Sequence, residues 1–373
     1  MIDKEPIRVF TCFAGYGTDI FALKSLGIEH DLIGYSEIDK YAIQCFQQNH
    51  CKESDFNTPN GWKRELLPKN YGDISKITWA TVPDFDLLTG GFPCQDVSNA
   101  GKQDLNKGRS VLGFELTKAL IAKQPKYFMF ENVKGILSKK FEPFLTELLK
   151  QWRTAGYVVV YKKLNTREHG IPQNRERVFF VGIRKDFKYF DFEWPEPTEL
   201  KLKLKDILEY GIVNKDYSYC IDANYWKGTN YKQYFLKSRR QIVFNLPNNT
   251  IKGFQEATNG DGVRLQYPKS KTARGRVIKN IAQTLQANSV NGVIQNNQIR
   301  KLTPKECFRL QGFLEDEVNL EGLSDTQKYK LAGNGQSVNV VKLIFSELLR
   351  GRNNLNSNKT PKEFCKNKKG LEE

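Results

Sequence analysis

The chain has 373 residues, 39% of them hydrophobic and 12% aromatic, enough to bury a substantial core and to form two domains. Its seven cysteines are odd in number and irregularly spaced. With no Cys-x-x-Cys pair and three histidines, they argue against a disulfide framework and against a metal site of the zinc type. A formal net charge of +16 favours a polyanionic partner, because each phosphate neutralised releases counterions, although a basic host proteome gives the same bias.

The opening stretch MIDKEPIRVF does not read as a signal peptide. No window approaches the 18 uninterrupted apolar residues that a membrane span needs. A soluble cytoplasmic protein with no membrane partner is the expectation.

IRVFTCF (7–13) reads as a buried strand, followed by a glycine turn and a helix through FALKSLG. DLIGYSE (31–37) is a second strand, and DKYAIQCFQQNH a helix with Tyr41, Cys45 and Phe46 on one face. DFDLLTG (84–90) is a third strand, ending in a Pro-Cys loop. A helix, GFELTKALIAKQ, then precedes the strand YFMFENV (127–133). FLTELLKQW (144–152) sets Leu145, Leu148, Leu149 and Trp152 at helical spacing, and YVVVYKKLN and RVFFVGI are two more strands. This alternation predicts an α/β fold with a mostly parallel, Rossmann-like sheet covered on both faces.

From about residue 186 the texture changes: Tyr, Asn, Lys and Gly become common, and Pro recurs at 195, 197, 247 and 268. A second, smaller, loop-rich domain is expected over 186–297. Helical patterning returns in LTPKECFRLQGF and VNVVKLIFSELL, so 298–350 is expected to join 1–185, and the polar, basic tail 351–373 to be disordered.

FAGYG (13–17) lies between the first strand and its helix, where glycines allow tight turning and close approach of a ligand. A nucleoside cofactor and a plain turn both fit it. Glu37 ends the next strand, where a carboxylate commonly accepts from ribose hydroxyls, and Asp73 sits where a third element meets a base. Together they sketch an adenosine pocket.

Cys94 follows another strand end on the same sheet edge, where ligands gather in open α/β folds. Its thiol needs help to ionise. Glu131 in ENV (131–133) reaches the same rim and suits a ring nitrogen, although a capping or solvated acid is the plainer use. Arg175 and Arg177 in QNRERV (173–178) are spaced to point the same way, toward a polar substrate or phosphate, or simply along a surface strand.

The ordered set FAGYG, the Glu37 strand end, GDI, GGFPCQ, ENV and QNRER resembles the DNA cytosine methyltransferases of the carbon-5 class, bacterial and phage restriction-modification types included. RKLTPKECFRLQGF (300–313) and GNGQSV (333–338) are similar to that family's two closing motifs. The resemblance covers about 1–185 and 298–350, which makes these the catalytic unit and 186–297 the target-recognition domain.

What it implies is methyl transfer from S-adenosylmethionine, with S-adenosylhomocysteine as product and no metal, to carbon 5 of a flipped-out cytosine in duplex DNA. Cys94, presented by Pro93, would add to carbon 6. Glu131 would contact ring N3 and the exocyclic amine, with Asn132 beside it; Arg177 would bond the cytosine O2, and Arg175 would support the site. Phe13, Ala14, Gly15, Tyr16, Gly17 and Thr18 would surround the cofactor. Glu37 would take its ribose, Ile38 its adenine face, and Asp73 with Ile74 the adenine edge, while Asn334, Ser337 and Val338 close the pocket. Two departures stand out: Thr11 where many members have Asp, and GNGQSV in place of the commoner GNSV.

The polar loop after Cys94 suits a closing lid, with Ser98 and Arg109 as DNA contacts. Arg264, Lys271, Arg274 and Arg276, in a basic stretch of the recognition domain, suit phosphates and base edges. Duplex DNA is the implied partner, a cognate restriction endonuclease a functional one, and a monomer the expected form. The same chemistry on transfer RNA, and a non-catalytic DNA-binding paralogue, are the alternatives. The long basic segment disfavours the first, and the intact Pro-Cys and Glu-Asn-Val residues disfavour the second.

Overall fold

The computed structural model describes residues 5–51, 68–93, 112–187, 192–209, 213, 216–225, 302–315 and 317–350, with short strand segments between 243 and 300. Seven strands form the main sheet: β1 (Ile7–Cys12), β2 (His30–Ser36), β3 (Lys69–Asn70), β4 (Leu87–Gly91), β5 (Tyr127–Val133), β6 (Tyr157–Asn165) and β7 (Glu176–Arg184). Their order is β3-β2-β1-β4-β5-β7-β6. The strands from β3 through β5 pair in parallel, and β7 runs antiparallel to both β5 and β6. The order reverses at β1, so the crevice between β1 and β4 opens at the carboxyl ends of the strands, the general ligand position in such sheets.

Strand residues alternate between two cores. Val9, Leu87, Met129, Phe179 and Val181 face one side, where α1 (Thr18–Ser25) and α2 (Lys40–His50) pack. Phe10, Leu88, Phe128, Phe130 and Phe180 face the other, against α3 (Leu112–Lys123) and α4 (Glu142–Thr154). Both faces are covered, and so the strands read as near-continuous apolar runs. Where two residues compete for one place, glycine yields it: a Cβ on Gly182 of β7 would lie 1.9 Å from the Phe128 ring on β5.

The chain returns to this core late. After a short helix, α5 (Leu204–Ile207), come α6 (Pro304–Arg309), α7 (Asp325–Asn334) and α8 (Val338–Leu348). Thr303 and Glu306 form a reciprocal capping box that starts α6 behind Pro304. Leu302, Cys307, Phe308, Val341, Ile344 and Phe345 join the core that holds β1 and α1. Phe192, Leu204, Ile207, Ile221 and Tyr225 join it too, so the core continues past residue 186. Helix α7 was not expected from the sequence. Among the described residues, no helix is long and apolar enough to cross a membrane.

Candidate active site

A cleft of about 550 Å³ opens at the carboxyl ends of β1, β2, β4 and β5, with α7 and the residues after it along one wall. The β1 turn shapes its floor. Phe13 adopts a left-handed backbone at φ 54°, and Gly15 and Gly17 follow at 57° and 80°. A non-glycine residue held there costs on the order of 1 kcal/mol, a strain typical of ligand-binding turns. Gly17 ends the turn as the N-cap of α1, and a Cβ on it would lie 2.4 Å from His50 Nε2.

The same turn orients Glu37. The Gly15 N–H donates to Glu37 Oε2 at 2.9 Å, while the N–H groups of Ile38 and Asp39 donate to Oε1 at 2.8 and 2.9 Å. Beside it, Ile38 is 70% exposed, an aliphatic side chain left open on the cleft rim. Asp73 caps the short turn Ile74–Lys76, its Oδ1 accepting from Ser75 N at 3.0 Å and Ser75 Oγ at 2.8 Å. Those bonds hold its carboxyl below the usual range. Ile74 is buried beneath it.

Asp19 is a further acid on the cleft wall, and it is buried. Its carboxyl accepts from the hydroxyls of Thr89 on β4 and Thr11 on β1 and from the first N–H groups of α1, yet burial pushes it above the ordinary value. Thr11, where the family commonly has an acid, thus donates to an acid eight residues further on. No sequence motif pointed to Asp19; its one signal was a carboxylate on the inward side of a buried helix.

Pro93, the last described residue of the β4 end, lines the cleft with Gly91 and Phe92. Cys94, Ser98, Arg109, Lys271, Arg274 and Arg276 lie outside the described residues, and Arg264 ends a short strand, Gly262–Arg264. Across from Pro93, Asn132 Nδ2 donates to the Phe92 carbonyl at 3.3 Å and ties β5 to the start of that loop. Glu131, 8% exposed, places Oε1 2.9 Å from Arg177 Nε. Burial pushes the Glu131 carboxyl up, and the Arg177 and Arg175 charges oppose the push.

Both arginines line the cleft, but they are used differently. Arg175 is 2% exposed, and its guanidinium donates to the carbonyls of Ile221 at 3.0 Å, Gly333 at 3.2 Å and Gly335 at 2.6 Å. It clamps its own segment to two others, around Ile221 and Gly333–Gly335. Gln173, two residues earlier, does similar work: its Nε2 donates to the Leu310 carbonyl at 2.5 Å and its Oε1 accepts from Ile221 N at 3.1 Å.

The closing motif contributes Asn334, Gly335 and Gln336 to the cleft. Ser337 and Val338 are buried at the start of α8 and do not line it, because the helix turns their side chains into the core. Gly17 is absent from the wall as well, having its place against His50. Phe13, Ala14, Gly15, Tyr16, Thr18, Glu37, Ile38, Asp73 and Ile74 all line the cleft. Lys330 on α7 also lines it and pairs with Asp39, a contact between residues far apart in the chain that no local pattern signals.

A sheet of this order with an antiparallel seventh strand, and a cleft at its switch point, defines an α/β methyltransferase of the S-adenosylmethionine-dependent class. The C-5 cytosine-specific DNA methylase family model matches residues 7–350, and the chain belongs to that family. It is 31% identical to the type II methyltransferase M2.ScrFI of Lactococcus lactis subsp. cremoris over 93% of this chain and 100% of that one. The orphan methyltransferase M.SPRI of Bacillus phage SPR is 27% identical over 92% and 97%. The Dnmt2 methyltransferase of S. pombe shares the fold, with a TM-score of 0.57 at 20% identity over 93% of this chain and 99% of that one.

Proposed function

We propose that this methyltransferase acts on carbon 5 of a cytosine within a short duplex DNA sequence, through a covalent adduct of Cys94 with ring carbon 6. The observation that carries the reading is the buried Glu131–Arg177 pair, 2.9 Å apart, facing the cleft beside Pro93. An acid and a guanidinium fixed side by side match the N3 and O2 edge of one cytosine. The Cys94 thiolate adds to carbon 6, which raises electron density at carbon 5. Glu131 holds N3 and the exocyclic amine, and Arg177 holds O2. Burial pushes the Glu131 carboxyl up, which eases its taking a proton to share with N3 as charge develops there. Once carbon 5 has taken the methyl group, it gives its proton to solvent water, and the electron pair of that C–H bond expels the Cys94 sulfur.

The residues along the cleft fit S-adenosylmethionine: the pinned Glu37 carboxylate for ribose hydroxyls, the open Ile38 side chain for an adenine face and Asp73 for its amino edge. Phe13, Gly15 and Asn334 would border its methionine end. When bound, that cofactor supplies an electrophilic methyl group.

A base inside a duplex cannot reach a cleft floor, so the cytosine is flipped out before reaction. We assign 1–185 with 298–350 to catalysis, 186–297 to target recognition with its first part docked on the core, and 351–373 to a basic tail. Arg264, Lys271, Arg274 and Arg276 serve DNA, with Ser98 and Arg109 from the loop behind Cys94. The protein acts as a cytoplasmic monomer, with a cognate restriction endonuclease as functional partner.

The test is transfer of labelled methyl groups to unmethylated genomic DNA, read by bisulfite sequencing, with transfer RNA run alongside. Protected cytosines in one short context are expected. Label in the transfer RNA alone overturns the DNA reading, and full activity in Cys94→Ser overturns the covalent one.

A further inference from the structure

Cys220 belongs to none of the motifs that carry the family resemblance, yet its sulfur meets both cleft arginines. Its segment is fastened to the approach to β7: the Asn174 N–H donates to the Ser218 carbonyl at 2.9 Å, and the Ser218 N–H to the Pro172 carbonyl at 2.7 Å. Gln173 receives the Ile221 N–H from the other side of Cys220. The backbone at 220 is thus fixed on both sides. From there Sγ lies 3.5 Å from Arg175 Nη1 and 3.9 Å from Arg177 Nη2.

We propose that Cys220 is a positioning residue for the cytosine site: its sulfur and the Glu131 carboxylate hold the Arg177 guanidinium from two sides and fix its plane toward the cleft. The inference rests on the function proposed above. Arg177 uses Nε toward Glu131, Nη1 toward the Glu176 carbonyl at 2.8 Å and Nη2 toward Cys220, so the sulfur completes a three-sided grip.

Charge supports the arrangement. Two guanidinium groups meet here, and Glu131 supplies one carboxylate to the pair. Tyr16, which also faces Arg175, keeps its hydroxyl neutral and donates it to the Gln336 carbonyl at 3.1 Å. The Cys220 sulfur lies between the two arginines, where their charges favour negative charge on it. Burial alone would push the Cys220 thiol up, but the Arg177 and Arg175 charges outweigh it and hold the thiol below its ordinary value.

The two protonation states bond differently. As a thiolate, Cys220 accepts from both arginines; as a thiol, it donates to the Ile221 carbonyl at 3.6 Å and loosens its hold on Arg177. A residue contributed from the recognition side of the chain thereby sets the geometry of a base-contacting arginine.

The experiment uses the full chain. Absorbance at 240 nm is titrated from pH 6 to 9 for Cys94→Ser and for Cys94→Ser with Cys220→Ser, and the difference isolates the Cys220 thiolate. An excess that emerges below the free thiol value of about 8.5 is expected; one that emerges only near or above it overturns the proposal. In parallel, Cys220→Ser and Cys220→Ala are made with Cys94 intact. Displacing one side of the grip is expected to lower kcat about tenfold or more, with KM for DNA within about twofold. The acid limb of the kcat profile that belongs to Cys220 is expected to vanish.

Unchanged kcat in both variants overturns the positioning role, and so does a loss confined to thermal stability. If the parent chain transfers no methyl group to DNA, the proposed function fails, while the 240 nm titration still decides whether Cys220 is the arginines' anionic partner.

Discussion

The Arg175 guanidinium donates to the Gly335 carbonyl at 2.6 Å, joining the approach to β7 to a segment 160 residues later. With the Gly333 and Ile221 carbonyls it completes a fork that a single ammonium cannot reproduce. Arg175→Lys keeps the charge and abandons at least one buried carbonyl. A loss of about 2–3 kcal/mol is expected from an unmet buried acceptor together with weakened charged bonds. Urea unfolding monitored by tryptophan fluorescence measures it, and a change below about 0.5 kcal/mol, the usual size for an indifferent surface substitution, would show the clamp to be unimportant.

Gly335 itself leaves no room for a side chain. A Cβ there would lie 2.1 Å from Tyr16 Cε1 and 2.3 Å from its hydroxyl oxygen. The Tyr16 ring cannot step aside, because Phe308 and Phe313 meet it at centroid distances of 5.3 and 5.7 Å. Gly335→Ala is expected to cost about 1–3 kcal/mol as overpacking, and to displace Tyr16 and Asn334 at the cleft. A lower melting temperature with weaker binding of S-adenosylhomocysteine in calorimetry is the expected result. Wild-type affinity would place the cofactor away from this wall.

Ile38 gives the opposite test, of a ligand contact free of packing. At 70% exposure it contributes little to the core, so Ile38→Ala should leave the melting temperature nearly unchanged. Covering that side chain with an adenine face buries apolar area worth about 1 kcal/mol, or about fivefold in affinity. Calorimetry with S-adenosylhomocysteine reads the loss directly. An unaltered Kd would move the adenine elsewhere.

Much of the sheet was legible in the sequence: β5 was read to its observed ends because a buried strand is a near-continuous apolar run, and β6, an antiparallel edge strand with exposed Val158 and Tyr161, through its β-branched and aromatic residues. The cleft motifs were legible because each sits at a strand end, where a short run of residues must fulfil both a turn and a contact. Helix α7 was missed for a physical reason. DTQKYKLAGN carries Gly333 within it and buries Tyr329, Leu331, Ala332 and that glycine, too little apolar patterning to signal a helix. Gly333 is required by close approach, since a Cβ would meet the Ala223 nitrogen at 2.3 Å. Asp19, Lys330 and Cys220 were illegible for another reason: their partners are set by topology, across sequence separations that no periodicity spans.

His50 makes the stability of the cofactor turn depend on pH. It is buried against Gly17, and one ring nitrogen, Nε2, meets the Tyr16 carbonyl at 2.9 Å. Burial, with a smaller push from Lys24, lowers its pKa to about 3. The folded protein therefore keeps His50 neutral where the unfolded chain binds a proton near pH 6.5. Its contribution is fully present above that value and is lost as pH falls toward 3, at up to about 1.4 kcal/mol per pH unit. His50→Gln retains an N–H for the Tyr16 carbonyl and removes the titration. At pH 8 the variant should be the less stable, through poorer packing against Phe21 and Phe46. Between pH 8 and pH 5 the wild-type advantage should shrink by about 2 kcal/mol, because the variant lacks this proton uptake. Urea unfolding of both proteins at the two pH values measures that difference, and an advantage that stays constant would mean His50 is protonated within the fold.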